Sequence, residues 1–385
     1  MCVVHRASKR NLCFEIGIGP GQSKEDRDDD ESMAARPLGR RLAPRKCADA
    51  GGAPRQHLGP RRGLHADVLH QTLRRRTLPP YHAPSGGFTP GGNCVGTIET
   101  AGKDVWQLAP GQRVLVSSLF RSSENVADPA QILIGVTSFG PDSEKVQADW
   151  PDGTLAEYVL LPASSVVPAD GFEDMEATQL AAVSRFVIPY GGLVRGRLAA
   201  GETLIVNGAT GAYGSAAVFV ARAMGAGRVV AAGRNADKLD VLVRRAGKAV
   251  VPVVLSGDVQ KDAAALRKAA GGGADIGFDM VGGAAEPSST LAALNSLRRG
   301  GRLVLMGSMT VDLPVSYMQL MINSLEIIGN FMYPASAYRS VLALVRSGAL
   351  DVTTINPKVF PLAELPAAMD AAASAGSLEC VVMKP

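Results

Sequence analysis

Three glycines at intervals of three, in Gly208-Ala-Thr-Gly211-Ala-Tyr-Gly214, directly follow the apolar run Thr203–Val206. Glycine at these positions allows a tight turn, close approach of a diphosphate to backbone N–H groups, and close packing of a helix on the strand. The helix N-terminus adds roughly half a positive charge facing such an anion. The pattern points to a dinucleotide site. A glycine-rich structural turn is the plainer alternative.

The next apolar run, Val229–Ala232, ends in Gly233-Arg234-Asn235. A site for NAD would carry an Asp or Glu here, accepting from the ribose 2′-hydroxyl. Instead Gly233 leaves room, and Arg234 offers a guanidinium to a 2′-phosphate. Lys238, one helical turn on, adds a second charge, while Asp237 complements the dipole of the first helical turn. The pattern selects NADP(H) over NAD(H), a solvated surface arginine being the alternative for Arg234.

These residues need a scaffold of alternating strands and helices. After Thr203–Val206 comes a helix from Ala212 to Met224, then Val229–Ala232, then a helix capped by Asn235 with Leu239, Leu242 and Val243 on one face. Val250–Leu255, weakened by Pro252, and Asp275–Met280 read as further strands. A helix opening at Pro287-Ser288 repeats Leu291, Leu294 and Leu297 and stops at Gly300-Gly301. Leu303–Met306 and Leu325–Ile328 complete six strands. Uniformly apolar strands alternating with helices mean a parallel sheet covered on both faces. Upstream, Val95–Gly102, Gln112–Ser117 and Thr154–Leu161 read as strands of a small β domain.

Composition narrows the function classes. All five histidines lie at or before residue 82, so the later chain has no imidazole to offer as ligand or base. Cys94 and Cys380 are the cysteines of the body, and no Cys-x-x-Cys occurs. A disulfide framework and a multi-thiolate zinc site are excluded for the body, and a reducing, cytoplasmic compartment is expected. The formal charge of +4 comes from residues 1–80, where 13 Arg and 3 Lys face 9 acids; the rest is slightly acidic. That argues against a nucleic-acid-binding core. The charge-free run Thr203–Ala221 reads as a nucleotide-binding turn rather than a membrane span. Residues 1–82 show no sustained periodicity and are expected to be a disordered basic extension or a misassigned start. A targeting presequence and a nucleic-acid arm are the alternatives.

Residues 91–385 resemble the medium-chain dehydrogenase/reductase superfamily, on its zinc-independent, quinone-oxidoreductase-like side. The resemblance is carried by Gly91-Gly-Asn-Cys-Val-Gly-Thr-Ile-Glu-Thr-Ala-Gly102, Leu108-Ala-Pro-Gly-Gln-Arg-Val-Leu-Val116 and Asp152-Gly-Thr-Leu-Ala-Glu-Tyr-Val159. Ala200-Gly-Glu-Thr-Leu-Ile-Val-Asn-Gly-Ala-Thr-Gly211 and Gly300-Gly-Arg-Leu-Val-Leu-Met-Gly307 continue it. It implies an α/β fold in which a Rossmann doubly wound parallel sheet is inserted in a GroES-like β domain. Residues 196–334 would form the dinucleotide-binding domain, and 83–195 with 335–385 the catalytic domain, its N-terminal strands incomplete.

Where zinc-dependent members carry Gly-His-Glu, this chain has Gly91-Gly92-Asn93, so no metal is expected. The resemblance then implies NADP(H)-dependent hydride transfer to an enone, quinone or carbonyl substrate, with no catalytic residue assigned. A non-catalytic NADPH-binding protein with a degenerate substrate domain is the alternative. Gly208, Gly211, Ala212, Tyr213 and Gly214 would wrap the pyrophosphate, and Arg234, Asn235 and Lys238 would meet the adenosine phosphate. Gly307 and Ser308 would lie beside the nicotinamide ribose, and Asn330 and Phe331 beside the carboxamide. The partner is a small molecule, with no nucleic acid or membrane; relatives are often dimers or tetramers, and a homodimer is carried over from them.

Other polar residues read ambiguously. Asn93 is a donor to a substrate oxygen or a turn residue. Asp279 is a backbone tether or a ligand. Tyr190 and Ser184 line the cofactor segment or merely cap and pack. Cys94 reads as a small buried residue rather than a nucleophile, and Tyr81 as part of a turn rather than a proton donor.

Overall fold

The computed structural model describes residues 82–385 together with the backbone of Cys2–His5 and Cys13–Glu15. Of residues 1–82, expected to lack structure, these two stretches are strands, β1 (Cys2–His5) and β2 (Cys13–Glu15). Apart from His82, the rest of that segment, Tyr81 included, lies outside the described residues.

A first sheet gathers segments from far apart in the chain. β3 (Cys94–Ala101) pairs antiparallel with β4 (Arg113–Val116), β1 and β2. Three short strands, β5 (Leu119–Arg121), β6 (Gln131–Leu133) and β7 (Thr137–Ser138), form a small separate sheet. β8 (Tyr158–Leu161) joins β1, and β9 (Val166–Pro168) joins β4. The strand expected from Thr154 is shorter because Thr154 and Leu155 bond instead to the carbonyls of Gly91 and Pro90. That contact folds the 152–155 loop onto the glycine segment preceding β3. The core here is Ile98, Val114, Val116, Val159 and Leu161.

The second sheet has six parallel strands: β10 (Thr203–Asn207), β11 (Arg228–Gly233), β12 (Val250–Val254), β13 (Ala274–Asp279), β14 (Leu297–Leu305) and β15 (Glu326–Gly329). Their order, β12-β11-β10-β13-β14-β15, is the Rossmann arrangement, with its reversal between β10 and β13. Successive residues of one strand feed opposite cores. Leu204 and Val206 pack with Ala216 and Val220, whereas Ile205 packs with Ala293 and Leu294. Both faces are covered, which is why each strand has an apolar run while charged residues such as Arg228, Asp275, Arg298 and Glu326 sit towards the ends. Pro252 is tolerated because β12 is an edge strand, where a missing N–H costs little.

One helix differs from expectation. It runs Ser288–Asn295 rather than to Gly300. Ser296 turns its hydroxyl back to the Ala293 carbonyl and ends the helix, and Leu297 enters β14. Arg267 donates to the Leu297 carbonyl and Arg298 pairs with Asp275, holding the early strand in the sheet. A helix at Val259–Ala269, absent from the sequence reading, is capped by Asp258, which accepts from the N–H groups of Gln260 and Lys261.

After β15 the chain returns to the first sheet. The helix Ala337–Arg346 packs on the helix Ser184–Arg195, and β16 (Asn356–Pro361) pairs with β17 (Glu379–Lys384), which joins β2.

Candidate functional site

The Gly208–Gly214 turn leaves β10 at the point where strand order reverses, which is where open α/β sheets bind ligands. Gly208 has φ +78°, a conformation that side chains rarely adopt. A Cβ on Gly214 would lie 2.0 Å from the Gly208 carbonyl oxygen, so the helix Ala212–Ala223 can sit this close only with glycine there. Gly211 is the N-cap of that helix and supplies no side-chain acceptor to the first-turn amides. A backbone cradle with uncapped amides fits the diphosphate of a dinucleotide.

The turn rests on a buried polar network that the sequence shows only in outline. Asn207 and Asp279 are register partners at the ends of β10 and β13, and Asn207 Nδ2 donates to the Asp279 carboxylate at 2.9 Å. Thr290 Oγ1 and the Val281 N–H donate to the same carboxylate. Burial pushes the Asp279 carboxyl up to about 6, against the lowering effect of these three donors. Asn207 also donates to Ser289, while its buried Oδ1 has no hydrogen-bond partner among the described residues. Of the two readings of Asp279, the contacts favour the backbone tether. It pins the Met280-Val281 turn, against which Gly208 packs, and its own carbonyl accepts from the Gly307 N–H.

On the β11 side, the room left by Gly233 is filled by Thr210, whose methyl would lie 2.8 Å from a Cβ there. Arg234 is exposed beyond the strand end and makes no ion pair among the described residues. Asn235 is occupied locally: its Oδ1 accepts from the Lys238 N–H and caps the helix Ala236–Ala246. Lys238 lies exposed in the first turn of that helix. Two cationic side chains thus stand near one end of the crevice.

On the β13–β15 side, Gly307 follows β14 so tightly that a Cβ would overlap the Val281 carbonyl oxygen at 1.8 Å. Ser308 is exposed beside it. Asn330 fixes its own loop, donating to the Met332 carbonyl at 2.8 Å and to Met306 Sδ at 2.9 Å. Phe331 meets Phe139 of the β domain edge to face, with ring centroids 4.6 Å apart. Ala212 and Tyr213 open the helix after the glycine turn, and the buried Arg185 lies over the Tyr213 ring at 5.2 Å. Ser184 donates to the Ala181 carbonyl, and Tyr190 packs on the main core.

A second polar cluster bridges the two sheets. Tyr333 and Tyr338, both buried, follow β15 and stack edge to face at 5.8 Å. The Tyr333 hydroxyl lies 3.1 Å from Ser117 Oγ, just beyond β4, and burial raises its pKa. Tyr338 donates to Asn93 Oδ1, which also accepts from the Ser118 N–H, both at 3.1 Å. The tyrosines and serines carried no pattern in the sequence; sheet topology alone brings them together. Gly92 shows what stands where metal-dependent proteins carry histidine: a Cβ there would lie 2.8 Å from Ser118 Cβ. Among the described residues no three His, Cys, Asp or Glu side chains are grouped to hold a metal ion, and Cys94 is buried in the β-domain core.

Residues 64–171 match the family described as alcohol dehydrogenase GroES-like domain, and residues 212–347 the one described as zinc-binding dehydrogenase. L-threonine 3-dehydrogenase of Yersinia pestis (strain Pestoides F) is 30% identical over 236 residues, 60% of this chain and 64% of that protein. The chain thus spans somewhat under two thirds of the curated relatives it matches. The 2R,3R-butanediol dehydrogenase of Bacillus subtilis shares 19% identity at a TM-score of 0.66, over 84% of this chain and 90% of its own. A Sinorhizobium meliloti 1021 structure, described as a zinc-binding dehydrogenase bound to NADP, shares 20% identity at a TM-score of 0.64, over 84% and 89%. At these identities the solved structures share the fold. No helix among the described residues is long and apolar enough to cross a membrane.

Proposed function

We propose that the chain is a member of the medium-chain dehydrogenase/reductase superfamily and an NADP(H)-dependent oxidoreductase that reduces an enone, quinone or carbonyl compound without zinc, a reading supported by the two matching domain families. One observation carries this reading. The glycine turn at the strand-order reversal admits no side chain at Gly214 and presents uncapped backbone amides, while Arg234 stands exposed past the next strand. Bound NADPH would supply hydride from its reduced nicotinamide. The chain's own residues bind and orient: Gly208, Gly211, Ala212, Tyr213 and Gly214 at the diphosphate, Arg234 and Lys238 at the 2′-phosphate, and Gly307, Ser308, Asn330 and Phe331 at the nicotinamide end. Asn235 contributes by capping the helix that carries Lys238. The missing side chain at Gly92 supports a zinc-free reaction, because the space it faces belongs to Ser118.

The catalytic domain in this reading comprises residues 83–195 and 335–385, flanking a nucleotide-binding domain of 196–334. A homodimer is supported by the exposed Tyr317, Met318, Met321 and Ile322, on a helix (Tyr317–Asn323) that precedes the edge strand β15. The cytoplasm is the compartment that the cysteine usage favours.

NADPH consumption with an enone, a quinone and an aldehyde, each in the presence of a metal chelator, tests the proposal. Turnover with at least one acceptor is expected. NADPH binding without turnover of any would favour the non-catalytic reading instead.

A further inference from the structure

We infer that the Asn93 side-chain amide is the hydrogen-bond donor that holds the substrate's reacting oxygen. The inference rests on the oxidoreductase reading above and names the group that stands in for a metal.

The orientation of the amide is set by its neighbours. The Ser118 backbone N–H can only donate, so the Asn93 atom facing it is the carbonyl oxygen. The Tyr338 hydroxyl donates to the same oxygen. Both bonds draw Oδ1 inward and leave the Nδ2 hydrogens with no acceptor among the described residues. Asn93 is half-buried, whereas Ser117, Ser118, Tyr333 and Tyr338 behind it are buried. It is therefore the one member of the cluster that combines partial access with spare donors.

Its place in the fold is the nicotinamide end of the crevice. The segment Asn330–Tyr333 leaves the C-terminal edge of the parallel sheet, tied to Met306 by Asn330. A Cβ on Gly191 would meet Tyr333 and the Met332 carbonyl, so this segment lies flat on the helix Ser184–Arg195. Tyr333 then reaches Ser117, and Tyr338 reaches Asn93. The backbone at Asn93 is fixed as well: Gly91, at φ +105°, accepts from the Thr154 N–H.

Hydride from the reduced dinucleotide forms a C–H bond as the C=O bond, or the conjugated C=C bond, loses its π pair to oxygen. A fixed, neutral N–H donor lowers the energy of that developing oxyanion or enolate without reorganising. Water then supplies the proton, so no side chain must exchange one. Asn93 would touch the substrate; Tyr338 and Tyr333 act through it and are positioning residues.

The test uses full-length protein with NADPH, the acceptor giving the fastest wild-type turnover, and cyclohexanecarboxamide as an unreactive carbonyl probe. Asn93→Ala should lower kcat about a hundredfold, and Asn93→Asp, which sets a carboxylate against the oxyanion, further still. Both should keep the wild-type NADPH affinity. Tyr338→Phe should fall between wild type and Asn93→Ala in kcat with little change in KM. Nicotinamide fluorescence should report weaker carboxamide binding to the Asn93→Ala–NADPH complex. Wild-type kcat and carboxamide affinity in Asn93→Ala would overturn the inference while leaving the oxidoreductase reading intact. A wild type that binds NADPH but reduces no acceptor would remove that reading and the inference with it.

Discussion

Replacing Asp279 by Asn should flatten part of the pH dependence of stability. Burial raises this carboxyl from an ordinary 3.8 to about 6, so holding it ionised costs the fold about 3 kcal/mol. Well below pH ~4 the group is protonated in both states and the cost vanishes. As pH rises from ~4 to ~6 the unfolded chain releases its proton first, and the native state loses stability. Above the folded pKa the deficit is constant. With its carbonyl oxygen in the place of Oδ1, asparagine still accepts from Asn207 Nδ2 and the Val281 N–H and carries no charge. Its amide nitrogen then faces the Thr290 hydroxyl, which can accept from it instead of donating. Urea unfolding of both proteins at matched pH should show the variant gaining on the wild type by about 2–3 kcal/mol across that window, then holding level. Lost hydrogen bonds shift the whole comparison by a constant and leave its slope alone. Parallel curves, or a gap closing as pH rises, would refute the assignment of Asp279 as a buried carboxyl that ionises at a cost.

Two other substitutions address the crevice directly. Gly214→Ala places a methyl 2.0 Å from the Gly208 carbonyl oxygen. It should push the helix off the turn and abolish measurable dinucleotide binding while circular dichroism stays native. Arg234→Ala removes one charge-assisted phosphate contact, roughly 1.5–3 kcal/mol. NADPH affinity should drop about tenfold to a hundredfold with NADH affinity unchanged; an unaltered preference would show that Arg234 is a solvated surface residue.

The parallel sheet was readable because each of its strands has an apolar run, such as Leu204–Val206, Val229–Ala232 and Leu303–Leu305, and glycine or a capping residue marks most of the turns. The helix Val259–Ala269 escaped notice because its buried face is narrow, Asp262, Ala263 and Leu266, in an otherwise charged segment. The end of the helix that follows β13 was misplaced because Leu291, Leu294 and Leu297 keep helical spacing across a strand start. Period alone does not distinguish the two. The glycine turn and Arg234 announced themselves by spacing. The cluster of Asn93, Ser117, Ser118, Tyr333 and Tyr338 did not, because its members lie up to 245 positions apart and meet through topology. Asn93 was ambiguous in sequence since an asparagine after two glycines suits a turn equally well. Its two inward hydrogen bonds are what distinguish it.

The central claim is that the Gly208 turn and the end of β11 together hold a phosphorylated dinucleotide. Calorimetric titration of the purified full-length chain with NADPH, and separately with NADH, tests it most directly. One NADPH bound per chain, more tightly than NADH, is the expected result; a natively folded protein that takes up neither nucleotide would contradict it.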